Sequence, residues 1–245
     1  MLRIEHLTKH YKGSSKGVTD LSLHIAPGDI YAFIGHNGAG KTTTLKCVAG
    51  IQDFDAGTIQ ICGLDIQKSP MECKRQIAYI PDNPDLYEYL TGIQYLNFVA
   101  DVFRIGPGER EERIREYGDR FEITASLGDL ISTYSHGMKQ KLALLSALVH
   151  QPKLWILDEP FVGLDPKAAV ILKEIMGSVC AGGGAIFFST HVLDVAEKLC
   201  NRVAIIKDGV LAASGSMEEL VRRGQSLESI FMEVVDHVGT AQVVD

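Results

Sequence analysis

The stretch "YAFIGHNGAGKTTTLKCVAG", residues 31–50, decides the fold of this chain. A short apolar run of strand length leads into the glycine-rich segment Gly35–Thr42, and helix-like sequence follows it. This is the G-x-x-x-x-G-K-[ST] phosphate loop in the strand-to-helix setting that the motif requires. Its glycines let successive N–H groups curl around phosphates, Lys41 would bridge the outer two, and the Thr42 hydroxyl would bind Mg²⁺. The predicted phosphate-binding residues are Gly35, His36, Asn37, Gly38, Ala39, Gly40, Lys41, Thr42 and Thr43.

Short apolar runs bounded by turn residues recur along the chain. Each is strand-length, rich in branched or aromatic residues and followed by helix-like sequence, which favours a buried and mostly parallel sheet. Two earlier runs, residues 2–11 and 18–29, have the pattern of a more exposed pair of strands. Between Thr91 and His150 helical periodicity replaces the strand pattern. The sequence therefore predicts an α/β fold with a P-loop core, an N-terminal antiparallel β subdomain and an inserted α-helical subdomain. The buried runs are residues 31–35, 77–81, 154–160, 185–191 and 203–209.

Composition and charge narrow the class of protein. The 245 residues, 46% of them hydrophobic, suffice for a full core, as one large domain or as a domain with a subdomain. A net charge of −7 gives no field for attracting nucleic acid, so we expect no nucleic-acid partner. No uninterrupted apolar run approaches the roughly 18 residues that span a bilayer, and residues 1–13 lack a signal-like segment. We predict a cytoplasmic chain with no integral membrane segment, whose five scattered cysteines are buried as small hydrophobes.

Two adjacent carboxylates, Asp158 and Glu159, end the apolar run "LWILDEP". Because neighbouring residues of a strand point to opposite faces, the two acids must have different roles. Asp158 would hold Mg²⁺ through water, and Glu159 would act as general base toward the attacking water.

A second anion-binding pattern lies in "TYSHGMKQKLALLSALVH", residues 133–150. Ser135 and Gly137 stand where the free N–H groups of a helix point outward, yet this end has no phosphate-gripping lysine. The alternative interpretation is an ordinary core helix with Ser135 at or near its N-cap.

In their order along the chain, these motifs resemble those of the ATP-binding subunits of ABC transporters, in particular bacterial exporter-like ones. Gly35–Thr42 matches Walker A, and Asp158 and Glu159 match Walker B and the catalytic glutamate. Residues 134–140, "YSHGMKQ", match the family signature, and residues 163–166, "GLDP", match the D-loop.

Two single residues complete the resemblance, which covers nearly the whole chain. Tyr11 matches the aromatic residue on which adenine stacks, and His191 matches the switch histidine. The resemblance implies the cofactors ATP and Mg²⁺, and ATP hydrolysis with Glu159, His191 and Lys41 as catalytic residues.

The resemblance also explains why the second anion site lacks a lysine. It implies that two cassettes, identical or paired, dimerise head to tail, so that Ser135 and Gly137 of one face the γ-phosphate held by the other's Lys41. It further implies a transmembrane permease as partner and a peripheral location on the cytoplasmic face of the membrane. The implied domains are a RecA-like core with its β subdomain at 1–90 and 151–216, a helical signature subdomain at 91–150, and a tail at 217–245. The amphipathic tail resembles the ends of exporter-type cassettes, and we expect it simply to cover core surface.

Three residues depart from the family pattern. His136 and Met138 replace a glycine and a glutamine in the signature. Asp82, after "YIP", replaces a glutamine whose family role is to contact the metal or the attacking water and to move with the helical subdomain. Because aspartate can ligate a hard cation through oxygen, Asp82 is a candidate metal ligand, and the alternative is a solvent-facing turn.

Other functions fit the sequence less well. A P-loop kinase should lack the signature and D-loop, although residues 108–120 could form an arginine-rich lid. The pairs Glu109/Arg113, Glu111/Arg115 and Glu116/Arg120 instead predict a solvated helix face. A GTPase should carry an Asn-Lys-x-Asp motif, which the chain does not have. An ABC protein that signals to, or exerts force on, a membrane protein without transport stays open as an alternative.

Overall fold

Two β-sheets form the scaffold of the computed structural model, which describes residues 1–13, 16–221 and 226–237. The strands are β1 (Leu2–His10), β2 (Gly17–Ile25), β3 (Ile30–Ile34), β4 (Ala56–Ile61), β5 (Leu64–Asp65), β6 (Ile77–Ile80), β7 (Leu154–Asp158), β8 (Ala185–Thr190), β9 (Arg202–Lys207) and β10 (Val210–Ser216). The helices are α1 (Lys41–Val48), α2 (Pro70–Lys74), α3 (Gly92–Val102), α4 (Pro107–Arg120), α5 (His136–Val149), α6 (Pro166–Ala181), α7 (Leu193–Leu199), α8 (Met217–Val221) and α9 (Leu227–His237).

The larger sheet has six strands in the order β10-β9-β3-β8-β7-β6. All neighbouring pairs in it are parallel except β10 with β9. Strands β3, β7 and β8 are almost entirely buried, as expected for the centre of a parallel sheet covered on both faces. The predicted α/β fold with a mostly parallel sheet is confirmed. Parallel register also brings the carboxyl ends of β3, β7 and β8 to one edge of the sheet.

The smaller sheet is antiparallel, in the order β2-β1-β4-β5. Strands β1 and β2 pair as predicted. Strands β4 and β5 lie outside the predicted runs, because β4 opens with Ala56 and Gly57, a turn-like pair. Gly57 has φ +98°, and a Cβ there would lie 2.5 Å from the His6 carbonyl oxygen, so glycine lets β4 pass close to the irregular part of β1.

Residues 92–149 carry α3, α4 and α5, and both α3 and α4 pack on α5. Thr91 caps α3 with a capping box: its hydroxyl accepts from Gln94 N at 3.3 Å, and the Gln94 side chain accepts from Thr91 N at 2.9 Å. Helix α5 buries its leucines in the same core cluster as Trp155 and Leu157 of β7. Helix α5, which carries residues 136–140 of the predicted signature, therefore packs on one face of the parallel sheet.

Helix α4 has the exposed charged face that its sequence predicts, but two of its arginines contact other helices. Arg113 pairs with Glu109 as expected, but its side chain is only 13% exposed and also donates to the last carbonyl of α5 at 2.5 Å. Arg120 pairs with Glu174 of α6 at 3.2 Å, so the predicted partner Glu116 is wrong. Arg113 and Arg120 thus connect α4 to α5 and α6.

Helix α9 covers part of the core, as expected for the tail. Leu227 is fully buried and Ile230 is 8% exposed. The Leu227 N–H donates to the Glu197 carboxylate of α7 at 3.4 Å. Residues 222–225 and 238–245 of the predicted tail lie outside the described residues.

Four cysteines are buried, as predicted, and Cys62 is half-buried. Burial raises the pKa of the Cys47 and Cys180 thiols to about 11. These thiols therefore stay protonated at neutral pH and behave as small apolar side chains.

Candidate nucleotide-binding site

The phosphate loop connects β3 to α1. At each end of the loop a glycine occupies a position where a side chain would clash with neighbouring backbone. Gly40, the N-cap of α1, has φ +110°, and a Cβ there would lie 3.0 Å from the Gly17 carbonyl oxygen. At Gly35 a Cβ would lie 2.5 Å from the Ile206 carbonyl oxygen. The loop thus packs closely against β9 of the larger sheet and β2 of the smaller one. The free N–H groups at the start of α1 form an anion-binding end.

Lys41 places its ammonium inside the loop, and the residue is 6% exposed. Its Nζ donates to the Gly35 carbonyl at 2.5 Å and to the His36 carbonyl at 3.3 Å, and lies 3.9 Å from Glu159 Oε1. Burial lowers the pKa of Lys41, and the Glu159 and Asp158 carboxylates oppose that shift. A buried cation that touches mainly neutral carbonyls gains from an added anion, so this cradle fits a phosphate.

Asp158 ends β7 between two hydroxyl donors. Thr42 Oγ1 donates to Asp158 Oδ2 at 2.7 Å. The Ser189 hydroxyl of β8 donates to Asp158 Oδ1 and accepts the Glu159 N–H at 3.0 Å. Motif reasoning missed Ser189, whose signal was a polar residue at the carboxyl end of the apolar run "AIFFST". Ser189 lies opposite Asp158 in the parallel register, and it therefore positions both acids.

Glu159 lies directly after β7 with φ +49°, a left-handed conformation that is uncommon outside glycine. Its side chain is 15% exposed, and Oε1 lies 2.9 Å from Nδ1 of His191, which follows β8. Asp158 therefore contacts hydroxyls, whereas Glu159 contacts an imidazole and faces an ammonium. The two adjacent acids have different surroundings and can serve different chemical tasks.

Most of the predicted binding residues line one cavity of about 330 Å³. Gly35 and Ala39 do not line it, and fully buried Ala39 supports the loop from behind. Lys16 and Gly17 line it without having been predicted, because they belong to no motif. The predicted residues that line it are Tyr11, His36, Asn37, Gly38, Gly40, Lys41, Thr42, Thr43, Asp82, Asp158 and Glu159.

The Tyr11 ring lies beside the loop and is suited to stacking. The residue is 38% exposed, and its hydroxyl lies 3.3 Å from Thr43 Oγ1. Lys9 Nζ lies 5.7 Å from the ring centroid. An exposed aromatic face at the rim of a phosphate site can carry a nucleobase.

Asp82 lines the same cavity as Thr42 and Asp158. Its Oδ1 accepts the Asn83 N–H at 2.8 Å. Within the described residues, no cluster of three or more His, Cys, Asp or Glu side chains could hold a metal ion by itself. A hydroxyl with one or two carboxylates nonetheless fits Mg²⁺, which usually takes its remaining ligands from water and substrate phosphates.

The signature residues lie apart from this cavity. Ser135 is the N-cap of α5, and its hydroxyl accepts the Met138 N–H at 3.3 Å. A Cβ on Gly137 would lie 2.9 Å from the Gly163 carbonyl oxygen, and the His136 ring packs against Gly163. Lys141 of α5 pairs with Asp165 at 2.7 Å. The first turns of α5 are thus fastened to the segment 163–165, and neither Ser135 nor Gly137 lines the cavity of its own chain.

Fold and site together define a P-loop nucleoside triphosphatase with the helical insertion of ATP-binding cassettes. The family model described as ABC transporter matches residues 18–162. The chain therefore belongs to the ABC transporter family and carries its ATPase domain.

Individual proteins support this assignment. The ABC-type transporter ATP-binding protein EcsA of Bacillus subtilis (strain 168) is 32% identical over 238 residues, which cover 96% of both chains. A solved ATP-binding subunit of an ABC transporter is 34% identical, with a TM-score of 0.91, and covers 96% of this chain and 100% of its own. A dimeric ATP-binding cassette in a post-hydrolysis state with ADP and Pi shares the fold at 21% identity, with a TM-score of 0.80 and coverages of 89% and 99%.

Proposed function

We propose that this chain binds and hydrolyses ATP to drive a separate membrane permease, and that two such chains, or this chain and a paired cassette, close head to tail around the nucleotides. One observation carries the dimer proposal: the lysine-bearing loop lines the cavity, whereas Ser135 and Gly137 do not. An exposed helix end that is remote from its own nucleotide can serve a nucleotide on a partner.

The chemistry follows from the contacts of the individual side chains. Lys41 and the loop N–H groups hold the phosphates, and the Tyr11 ring stacks on adenine. Thr42, Asp158 and Asp82 hold Mg²⁺, which neutralises phosphate charge when bound. Glu159 accepts a proton from the attacking water, and His191 fixes the Glu159 carboxylate through their 2.9 Å contact.

The permease would dock on an exposed aromatic cluster whose first member, Tyr87, follows Asp82 closely in the chain. Tyr87, Tyr89 and Phe98 are 45%, 76% and 46% exposed, and the Tyr87 ring contacts both of the others. No helix among the described residues is long and apolar enough to cross a bilayer. Like the ATP-binding subunits of its family, the chain would act from the cytoplasmic membrane face, with the cluster relaying permease movement to Asp82.

Mixing two inactive variants tests the composite site. Lys41→Ala removes the charge that holds the phosphates, and Ser135→Arg blocks the signature end. In a mixed head-to-tail dimer one site carries both defects and the other is intact, so random pairing should restore about a quarter of all sites. ATP-dependent cross-linking is read beside hydrolysis, with wild-type subunit exchange as control. The head-to-tail proposal would be overturned if the mixture recovered neither cross-linking nor hydrolysis although wild-type subunits exchange.

A further inference from the structure

The aromatic ring at the rim of the nucleotide cavity has a cation on one of its faces. Lys9 Nζ lies 5.7 Å from the centroid of the Tyr11 ring. Lys9 lies in β1 and Tyr11 directly follows that strand, where residues two apart point to the same side. Tyr11 lines the nucleotide cavity, whereas Lys9 does not. The ammonium therefore covers the ring face that points away from the cavity, and the other face stays open.

Asp55 connects the end of β1 to the Lys9 side chain. Its Oδ2 accepts the His10 N–H at 2.7 Å, and its Oδ1 lies 3.5 Å from Lys9 Nζ. The Asp55 N–H donates to the Thr8 carbonyl at 2.8 Å, so residue 55 is itself fixed to the strand. The hydrogen bond from the His10 N–H lowers the pKa of the Asp55 carboxyl, and the Lys9 ammonium adds to that shift. Asp55 is therefore ionised at neutral pH and attracts the ammonium.

The Tyr11 ring is contacted at two points. Its hydroxyl lies 3.3 Å from Thr43 Oγ1 of α1, and the Lys9 ammonium lies over one face. The Lys9 side chain is only 14% exposed, so it has little freedom to leave the ring. A cation over an aromatic face is attracted by the ring quadrupole. Because the ring is ordered before a base arrives, stacking costs it less conformational entropy than it would cost a free side chain.

We propose that Lys9 and Asp55 are positioning residues for the nucleobase: Asp55 holds the Lys9 ammonium behind the Tyr11 ring, and the ring presents its open face to the base. The inference rests on the proposed function, in which Tyr11 stacks on adenine. Neither Lys9 nor Asp55 lines the nucleotide cavity, so both act through the ring and not by contact with the nucleotide.

Two probes separate the base from the phosphates. ATP with Mg²⁺ carries both, whereas inorganic tripolyphosphate with Mg²⁺ carries no base, and calorimetry measures the affinity for each. Tyr11→Ala should weaken ATP binding about tenfold, the scale of one lost base–aromatic stack, and leave tripolyphosphate binding unchanged. Lys41→Ala should weaken the binding of both probes, because it removes the charge that holds the phosphates.

Variants of the two positioning residues should affect only the probe that carries a base. Lys9→Gln and Asp55→Ala should each weaken ATP binding about threefold, because the ring remains but loses the cation or the acid that holds the cation. Lys9→Arg keeps a cation over the ring and should bind ATP like the wild type. Lys12→Ala and Asp53→Ala are matched controls, since both residues are exposed, lie outside the cavity and neighbour the residues under test. Neither control should change either affinity.

A double-mutant cycle shows whether Lys9 acts through the ring. In a Tyr11→Ala background, Lys9→Gln should cause no further loss of ATP binding, because no ring is left to position. A further threefold loss would mean that Lys9 attracts the triphosphate by its charge alone, and it would overturn the positioning role.

The outcomes distinguish this inference from the proposed function. If the wild type binds ATP and both Lys9→Gln and Asp55→Ala bind it equally tightly, the positioning role is wrong and ATP binding stands. The positioning role is also wrong if these variants lose as much affinity for tripolyphosphate as for ATP. Unchanged tripolyphosphate binding shows that a variant is folded. If the wild type binds neither probe, the proposed function fails and the positioning role fails with it.

Discussion

The imidazole Nδ1 of His191 lies 2.9 Å from Oε1 of Glu159, although the two residues follow different strands of the parallel sheet. The same carboxylate oxygen lies 3.9 Å from Lys41 Nζ. Glu159 is therefore contacted from two sides, by the Lys41 ammonium, which lines the nucleotide cavity, and by the His191 imidazole, which does not line it. If Glu159 acts as the proposed general base, a carboxylate held in this way would lose little entropy on meeting the attacking water.

Glu159→Gln should abolish turnover and preserve ATP binding. Glutamine keeps the size of the side chain but cannot accept the proton, and loss of a general base costs about 10² to 10⁴ in rate. Phosphate release and binding of a fluorescent ATP analogue measure the two effects, with exposed Glu116→Gln as control. The variant should accumulate as an ATP-bound dimer on a sizing column, and full activity would assign the base to another residue.

His191→Ala should lower turnover less than Glu159→Gln does, because it removes the orientation of the base and not the base itself. The two substitutions should not be additive, since His191 acts through Glu159. A double-mutant cycle of turnover numbers measures this. A further large fall when His191→Ala is added to Glu159→Gln would mean that the histidine has an independent role.

Ser189→Ala should destabilise the protein and weaken metal-dependent activity together. It leaves the Glu159 N–H and one Asp158 oxygen without their partner, at a cost of about 1–3 kcal/mol in the free energy of unfolding. Urea unfolding and a Mg²⁺ titration of hydrolysis provide the readouts, and exposed Ser132→Ala is the matched control. Unchanged stability in Ser189→Ala would contradict the positioning role.

Asp82→Ala should raise the Mg²⁺ or Mn²⁺ concentration needed for half-maximal hydrolysis by about tenfold, the scale seen when supporting groups around a metal are removed. It should also reduce stimulation by the permease. Asp85→Ala is a close control, because this acid lies in the same loop but lines a different cavity. Identical metal titrations and identical stimulation for Asp82→Ala and wild type would make Asp82 an ordinary turn residue.

Tyr89→Ala should leave basal hydrolysis unchanged and reduce stimulation by the permease. Its ring is 76% exposed and stacks on Tyr87 at 5.9 Å, so its removal alters the surface and not the core. Basal and permease-stimulated ATPase rates in reconstituted vesicles measure the effect. Met71→Ala on α2, 61% exposed, controls for loss of an exposed apolar side chain elsewhere. Full stimulation of Tyr89→Ala would place the docking surface elsewhere.

Features with a local sequence signal could be predicted. The phosphate loop, the acids at the end of β7 and the Ser135 cap each follow from a short run of residues whose spacing determines the geometry. The buried parallel strands were recognisable for the same reason, because each is a continuous apolar run between turn residues.

Features that depend on distant partners could not be predicted. Ser189 matters only because parallel register places it opposite Asp158, 31 residues earlier in the chain. Arg120 turns to Glu174, 54 residues away, instead of to its helical neighbour Glu116.

The fastening of α5 to the segment 163–165 has a consequence for how two chains would meet. With the His136 ring against Gly163 and Lys141 paired with Asp165, neither segment can shift alone without breaking contacts within its own chain. Both would therefore reach a partner as one rigid face, already assembled before contact. Dimer closure would then cost the entropy of one docking event instead of two. A substitution in either segment would also alter the position of the other.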